Sequence, residues 1–150
     1  MRRPALVRRA GSPRALARPS LAALALTGSL AACGASPPDL FAVQRTGTVP
    51  GARLTLVVSD NGGVRCNGSA SRQLTDSQLL AARQLQRDLD NPAKHAVTLA
   101  PTPLSVFTYS VTTPSGSLRF SDTSPGITPV FQRVAAFTHE VATGVCHLPR

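Results

Sequence analysis

The chain has 150 residues, with 16 Lys and Arg against 7 Asp and Glu, and a formal net charge of +9. That charge is uneven: Arg2, Arg3, Arg8, Arg9, Arg14 and Arg18 crowd the first 18 residues, and no acid precedes Asp39. The 118 residues from Cys33 onward carry only +3, and the chain has no Trp, one Tyr and five Phe, so the strong basic charge belongs to the leader and stacking surfaces for bases are few.

The first element in chain order is a leader. Leu21 to Ala32 is Leu and Ala except for Thr27, Gly28 and Ser29. A basic segment, a short apolar run and small residues at its end describe a secretory signal. The run falls short of the roughly 20 residues of a membrane-spanning helix. Pro4, Gly11, Pro13 and Pro19 interrupt any continuous basic helix.

Leu30-Ala31-Ala32-Cys33, followed by Gly34, resembles the lipobox of bacterial lipoprotein precursors. The resemblance implies that residues 1–32 are a signal peptide and that Cys33 takes a diacylglyceryl group on its thiol. It also implies palmitate-type acylation and a lipid-anchored protein on the outer face of the cytoplasmic membrane. Two acyl chains suffice for stable anchoring, because each buried methylene contributes about 0.8 kcal/mol. Residues 33–40 then read as the lipidated Cys and a tether, Gly34-Ala-Ser-Pro-Pro38, and residues 41–150 as one domain. That domain resembles the small envelope lipoproteins of unknown function found in high-GC bacteria, which implies location and class but no activity.

With Cys33 lipidated, Cys66 and Cys146 remain. An oxidising compartment favours a disulfide between them. The alternatives are a redox pair, for which the close Cys-x-x-Cys spacing is lacking, and a metal site built from Cys146 and His147. Neighbouring side chains rarely meet at one metal, so no metal and no cofactor are expected.

Within the domain, Phe41 to Thr46 reads as an early strand. Arg53 to Ser59 alternates, with Leu54, Leu56 and Val58 on one face, and Asp60-Asn-Gly-Gly63 turns it into Val64 to Asn67. Thr75-x-x-Gln78 is a capping box with Leu74 and Leu79 as its hydrophobic staple. The helix it opens buries Leu79, Ala82, Leu85 and Leu89 and is expected to end at Asn91-Pro92. A polar loop, Lys94 to Pro103, leads to a hairpin of Val106–Thr113 and Ser117–Asp122 around Pro114-Ser-Gly116. Thr128-Pro129 opens a second helix that buries Val130, Val134, Phe137 and Val141 and stops at Gly144. The expectation is an α+β fold: an antiparallel sheet of about four to five strands in the order β-β-α-β-β-α, with two helices on one face. Its core is expected to rest on Val, Leu and Ala.

Catalytic signals are sparse. His139-Glu140 begins like a metalloprotease motif, but Thr143 stands where the second His is needed, and His147 lies beyond the helix. Asp76 complements a helix dipole, and Asp88 and Asp90 lie on different helix faces. His95 has no evident partner, and Ser121-Asp-Thr-Ser124 has good turn chemistry. Asn67-Gly-Ser69 matches a three-residue glycosylation sequon and no more. Two hairpin tips, Asp60–Gly63 and Thr113–Gly116, are the better candidates for contacts. A basic surface of Arg65, Arg72, Arg83, Arg87 and Arg119 facing anionic lipid or wall polymer is another; for both features the favoured reading is the plain one, tight turns and a solvated basic surface.

The leading expectation is a non-catalytic envelope lipoprotein that binds a protein or wall polymer, with no nucleic acid among its partners. One alternative is an inhibitor of secreted proteases: the layout is similar in outline to subtilisin-inhibitor-like domains, without their second disulfide. The other is a small enzyme whose site gathers at least two of His95, His139, Asp88 and Asp122.

Overall fold

Two-residue alternation builds most of the sheet. The structure, a computed structural model, describes residues 39–148; the signal segment, Cys33 and the tether to Pro38 lie outside them. Strand β1 (Asp39–Gly47) turns Phe41, Val43 and Arg45 inward. β2 (Leu54–Ser59) adds Leu54, Leu56 and Val58 to the same face, and β3 (Gly63–Cys66) adds Val64 and Cys66. β4 (Arg72–Gln73) is a two-residue edge strand. After helix α1 (Asp76–Lys94), β5 (Phe107–Thr113) and β6 (Gly116–Ser121) form a hairpin, and helix α2 (Pro129–Glu140) follows.

The result is one six-stranded sheet, ordered β4-β3-β2-β1-β5-β6, with every strand pair antiparallel. The mixed α+β expectation is met. The strand count and order are corrected: β4 adds a sixth strand, and β1 sits in the middle, pairing with both β2 and β5. β1 also starts at Asp39, two residues inside the expected tether.

Both helices cover the inward face. Thr75 caps α1 as expected: its hydroxyl accepts from the Gln78 amide, and the Gln78 side chain accepts from the Thr75 amide. α1 does not end at Asn91-Pro92. Pro92 lies in the last turn, where it gives up one amide donor, while the Asn91 and Pro92 carbonyls still accept from His95 and Val97. α2 buries Phe131, Val134, Phe137 and Thr138, so its inward face is rotated from the expected one and Val130 is only half-buried. Nor does the helix stop cleanly at Gly144. It passes into a π-helical turn, Val141–Val145, in which the Cys146 amide donates to the Val141 carbonyl.

The core is less aliphatic than expected. Tyr109 stacks on Phe120 at 5.0 Å between ring centres, and Phe120 stacks on Phe131 of α2 at 4.8 Å. Phe107 tilts against Tyr109, and Phe41 meets Phe137 edge-on. All six aromatic residues of the chain therefore pack against another aromatic. Cys66 and Cys146 are disulfide-bonded, with Cα atoms 6.3 Å apart, tying β3 to the end of the second helical segment.

Candidate functional site

The two ends of the sheet differ in character. At the end carrying the β2–β3 and β5–β6 turns, the loops are docked on α1. Arg83 of α1 pairs with the Asp60 carboxylate at 3.1 Å and donates to its carbonyl. The Asn61 carbonyl accepts from Gln73, and the Ser115 hydroxyl bonds Asp90. Gly116 has φ of 148° and lies so close to α1 that a Cβ there would strike the Ala93 carbonyl. The hairpin tips Asp60–Gly63 and Thr113–Gly116 are thus tight turns docked on α1, the plainer of the two readings that their sequence allows.

The opposite end is open. Among the described residues, four large apolar side chains are exposed: Val49, Leu80, Leu104 and Val106. Three of them lie on two loops at this end, the β1–β2 turn and the α1–β5 loop. The loops touch: the Thr48 amide donates to the Val106 carbonyl, and a Cβ at Gly47 would collide with that same carbonyl. Leu104 is 81% exposed at the tip of the longer loop.

That loop is held on both sides. The Leu99 amide donates to the Arg119 carbonyl and the Arg119 amide to the Val97 carbonyl, which lays the segment along β6. The Ser105 hydroxyl lies 2.8 Å from that of Ser121 and 2.6 Å from that of Thr123; Thr102 meets Thr123 at 2.6 Å. The Asp122 carboxylate accepts the amides of Val106 and Phe107. Between these anchors the Ser105 amide donates to the Thr102 carbonyl, folding Pro103-Leu104 into a tight turn. Asp122→Ala strips the charged acceptor from two amides and is expected to cost about 2 kcal/mol. Faster hydrogen exchange at Val106 and Phe107, with α1 unchanged, is the check; unchanged exchange there would show the brace lies elsewhere.

Beside the apolar loops is a cavity of about 240 Å³ bounded by Arg45, Val49, Pro50, Phe107, His139 and Thr143, among others. Arg45 is only 9% exposed. Its Nε donates to the Ala52 carbonyl at 2.9 Å and Nη2 to the Gly51 carbonyl at 3.3 Å. These bonds lock the Val49-Pro50-Gly51-Ala52 turn, in which Gly51 takes φ of 76°. The guanidinium carbon sits 4.9 Å from the centre of the Phe107 ring. Tyr109 is its cross-strand partner. Burial pushes the Tyr109 phenol above its ordinary value of 10.0; Arg45 opposes this and Asp122 reinforces it, so the phenol stays neutral beside the arginine.

The other sequence-derived residues do not gather. Asp88 pairs with Arg133 at 2.6 Å across the two helices, and His95 bonds the Asn91 carbonyl at the end of α1. Asp122 lies at the other end of β6, and His139 lines the Arg45 cavity. Of His95, His139, Asp88 and Asp122, no two share a hydrogen bond, and the partners of His95, Asp88 and Asp122 lie on different elements, so the gathered site is not found. Among the described residues no group of three His, Cys, Asp or Glu is placed to hold a metal. Thr143, which stands in the second His position, donates its hydroxyl to the His139 carbonyl. Asn67 uses its side chain to accept the Thr55 amide. The five arginines do not form one surface either: Arg65 and Arg119 sit on strands at opposite sides of the sheet, Arg83 is paired with Asp60, Arg87 bonds Gln84 and Arg72 bonds the Val145 carbonyl.

Val49, Leu104, Val106 and Arg45 were not singled out by the sequence. Arg45 had a signal, because it continues the inward alternation of Phe41 and Val43. No helix among the described residues is long and apolar enough to cross a membrane. Compared with known proteins, the chain matches no family model, no curated protein and no solved structure.

Proposed function

We propose that the chain is an envelope lipoprotein, anchored through Cys33 on the outer face of the cytoplasmic membrane, and that its domain is a non-catalytic binding module. The binding surface is the open end of the sheet. The observation that carries this reading is the placing of Val49, Leu104 and Val106 on two loops fixed by hydrogen bonds, since pre-organised apolar tips bind without a large ordering penalty. The Cys66–Cys146 bond supports export, because disulfides persist in oxidising compartments. The partner is a protein or a wall polymer of the envelope.

A protease inhibitor is the second reading, favoured by Pro103-Leu104-Ser105 on a braced loop. Against it, the hydrogen bond from Ser105 to Thr102 bends the tip, whereas peptides that add to a sheet edge or an enzyme cleft are extended.

The test is a photo-cross-linking amino acid at Leu104, or at the exposed helix residue Leu80, in living cells. Discrete adducts from position 104 and none from 80 are expected. Loss of those adducts in a Cys33→Ser form, which is expected to leave the membrane fraction, ties binding to the anchor. A secreted protease as the adduct would favour the inhibitor. Equal labelling from both positions would sink the binding surface, and a Cys33→Ser form that stays in the membrane would sink the anchor.

A further inference from the structure

We propose that the Arg45 cavity is a carboxylate site that takes a small apolar group bearing a free carboxylate, as at the C-terminus of a peptide. Arg45 carries a charge into a largely buried position, and burying a charge is costly unless it is compensated. Among the described residues the ion pairs are Arg83–Asp60 and Arg133–Asp88, and neither involves Arg45. Asp122 is committed to two amides, and Tyr109 is neutral. The carbonyls of Gly51 and Ala52 satisfy donors without supplying a negative charge.

The guanidinium also has donors to spare. Of its five N–H groups, two are engaged by those carbonyls, and among the described residues Nη1 has no acceptor. Among the described residues the buried side-chain atom left without a partner is Thr138 Oγ1, so Nη1 is not sealed in the core either. Arg45 itself lines the cavity. Phe107 and the two carbonyls hold the guanidinium in one plane, the arrangement suited to a carboxylate. His139 stands at the same cavity as a second donor, whereas the Thr143 hydroxyl proton is spent on the His139 carbonyl. Val49, Pro50 and Ala142 supply apolar wall, and about 240 Å³ is room for one terminal residue rather than a large cofactor. The π-helical turn presents Ala142 and Thr143 to the cavity; such turns recur at functional sites.

The inference deepens the binding reading, on which it rests for its biological meaning, by giving the partner a chemistry. The test uses N-acetyl-Ala-Leu with a free carboxylate, its C-terminal amide and inorganic phosphate, titrated into the isotope-labelled chain from Cys33 to Arg150. The acid is expected to shift the Arg45 Nε–H and the amides of Gly51, Ala52, Phe107 and Thr143, with roughly millimolar affinity. The amide should shift none of them. Arg45→Lys should weaken the acid about tenfold because it loses the planar fork. His139→Ala, a surface change that keeps the fold whatever Arg45→Lys does, should weaken it a few-fold. Acid and amide acting alike, or no shift from either, overturns the site and leaves Arg45 as a clamp on its turn. Phosphate matching the acid overturns the carboxylate assignment. None of these results touches the Leu104 cross-linking, so the two readings fail separately.

Discussion

Phe120→Ala is expected to destabilise the domain by about 4 kcal/mol, among the largest effects of any single truncation in the core. Phe120 is fully buried on β6 and is the middle ring of three, stacked on Tyr109 at 5.0 Å and on Phe131 at 4.8 Å. Truncation removes the ring's own burial and leaves a void between two rings on different elements, which cannot both close in. It also deletes two aromatic pairs, each worth about 0.5–1.5 kcal/mol beyond area alone. A domain of this size has about 5–15 kcal/mol in total, so the variant should unfold at much lower urea. Phe137→Ala, whose ring meets only Phe41 edge-on and is slightly exposed, should cost less. Equal effects would show that the stack has no special standing. A loss under about 2 kcal/mol for Phe120→Ala would show that the core collapses around the void.

The stack also shows what could be read from the sequence and what could not. Leu118 and Phe120 were legible as the inward side of β6, because alternation is local. Their partner on α2 was not. With Val130 and Phe131 adjacent, a helical wheel can be rotated by one residue and still show an apolar stripe, and the docking angle against the sheet decided for Phe131. The capping box at Thr75 was legible for the same local reason. The pairing of β1 with β5 was not, since those strands are joined through three other strands and a helix. β4 is too short to show a pattern. The candidate site was the least legible part. Its brace joins Thr102 and Ser105 to Ser121, Asp122 and Thr123, and hydroxyls separated by 16 to 21 positions leave no local signature. Asp60–Gly63 and Thr113–Gly116 have the composition of free tips, and only the position of α1 shows that they are covered.

Removing the disulfide with Cys66→Ala and Cys146→Ala together is expected to lower stability by on the order of 4 kcal/mol, or roughly 15 °C in Tm. The bond spans 80 positions, so its loss frees a large part of the unfolded chain. It also joins the β3–β4 edge to the π-helical turn. Arg72 adds a second tie there, donating to the Val145 carbonyl at 3.3 Å. Because that turn bears Ala142 and Thr143, the loss should loosen the wall of the Arg45 cavity before it loosens the aromatic stack. Hydrogen exchange in the double variant should therefore rise first at Val141 to Cys146 and stay slow in β5 and β6. The same pattern should appear when the unaltered protein is reduced. A Tm change under about 3 °C on either treatment would mean that the helix docks without its covalent tie. The fold would then stand equally well in a reducing compartment, and the argument for export would rest on the leader and Cys33 alone.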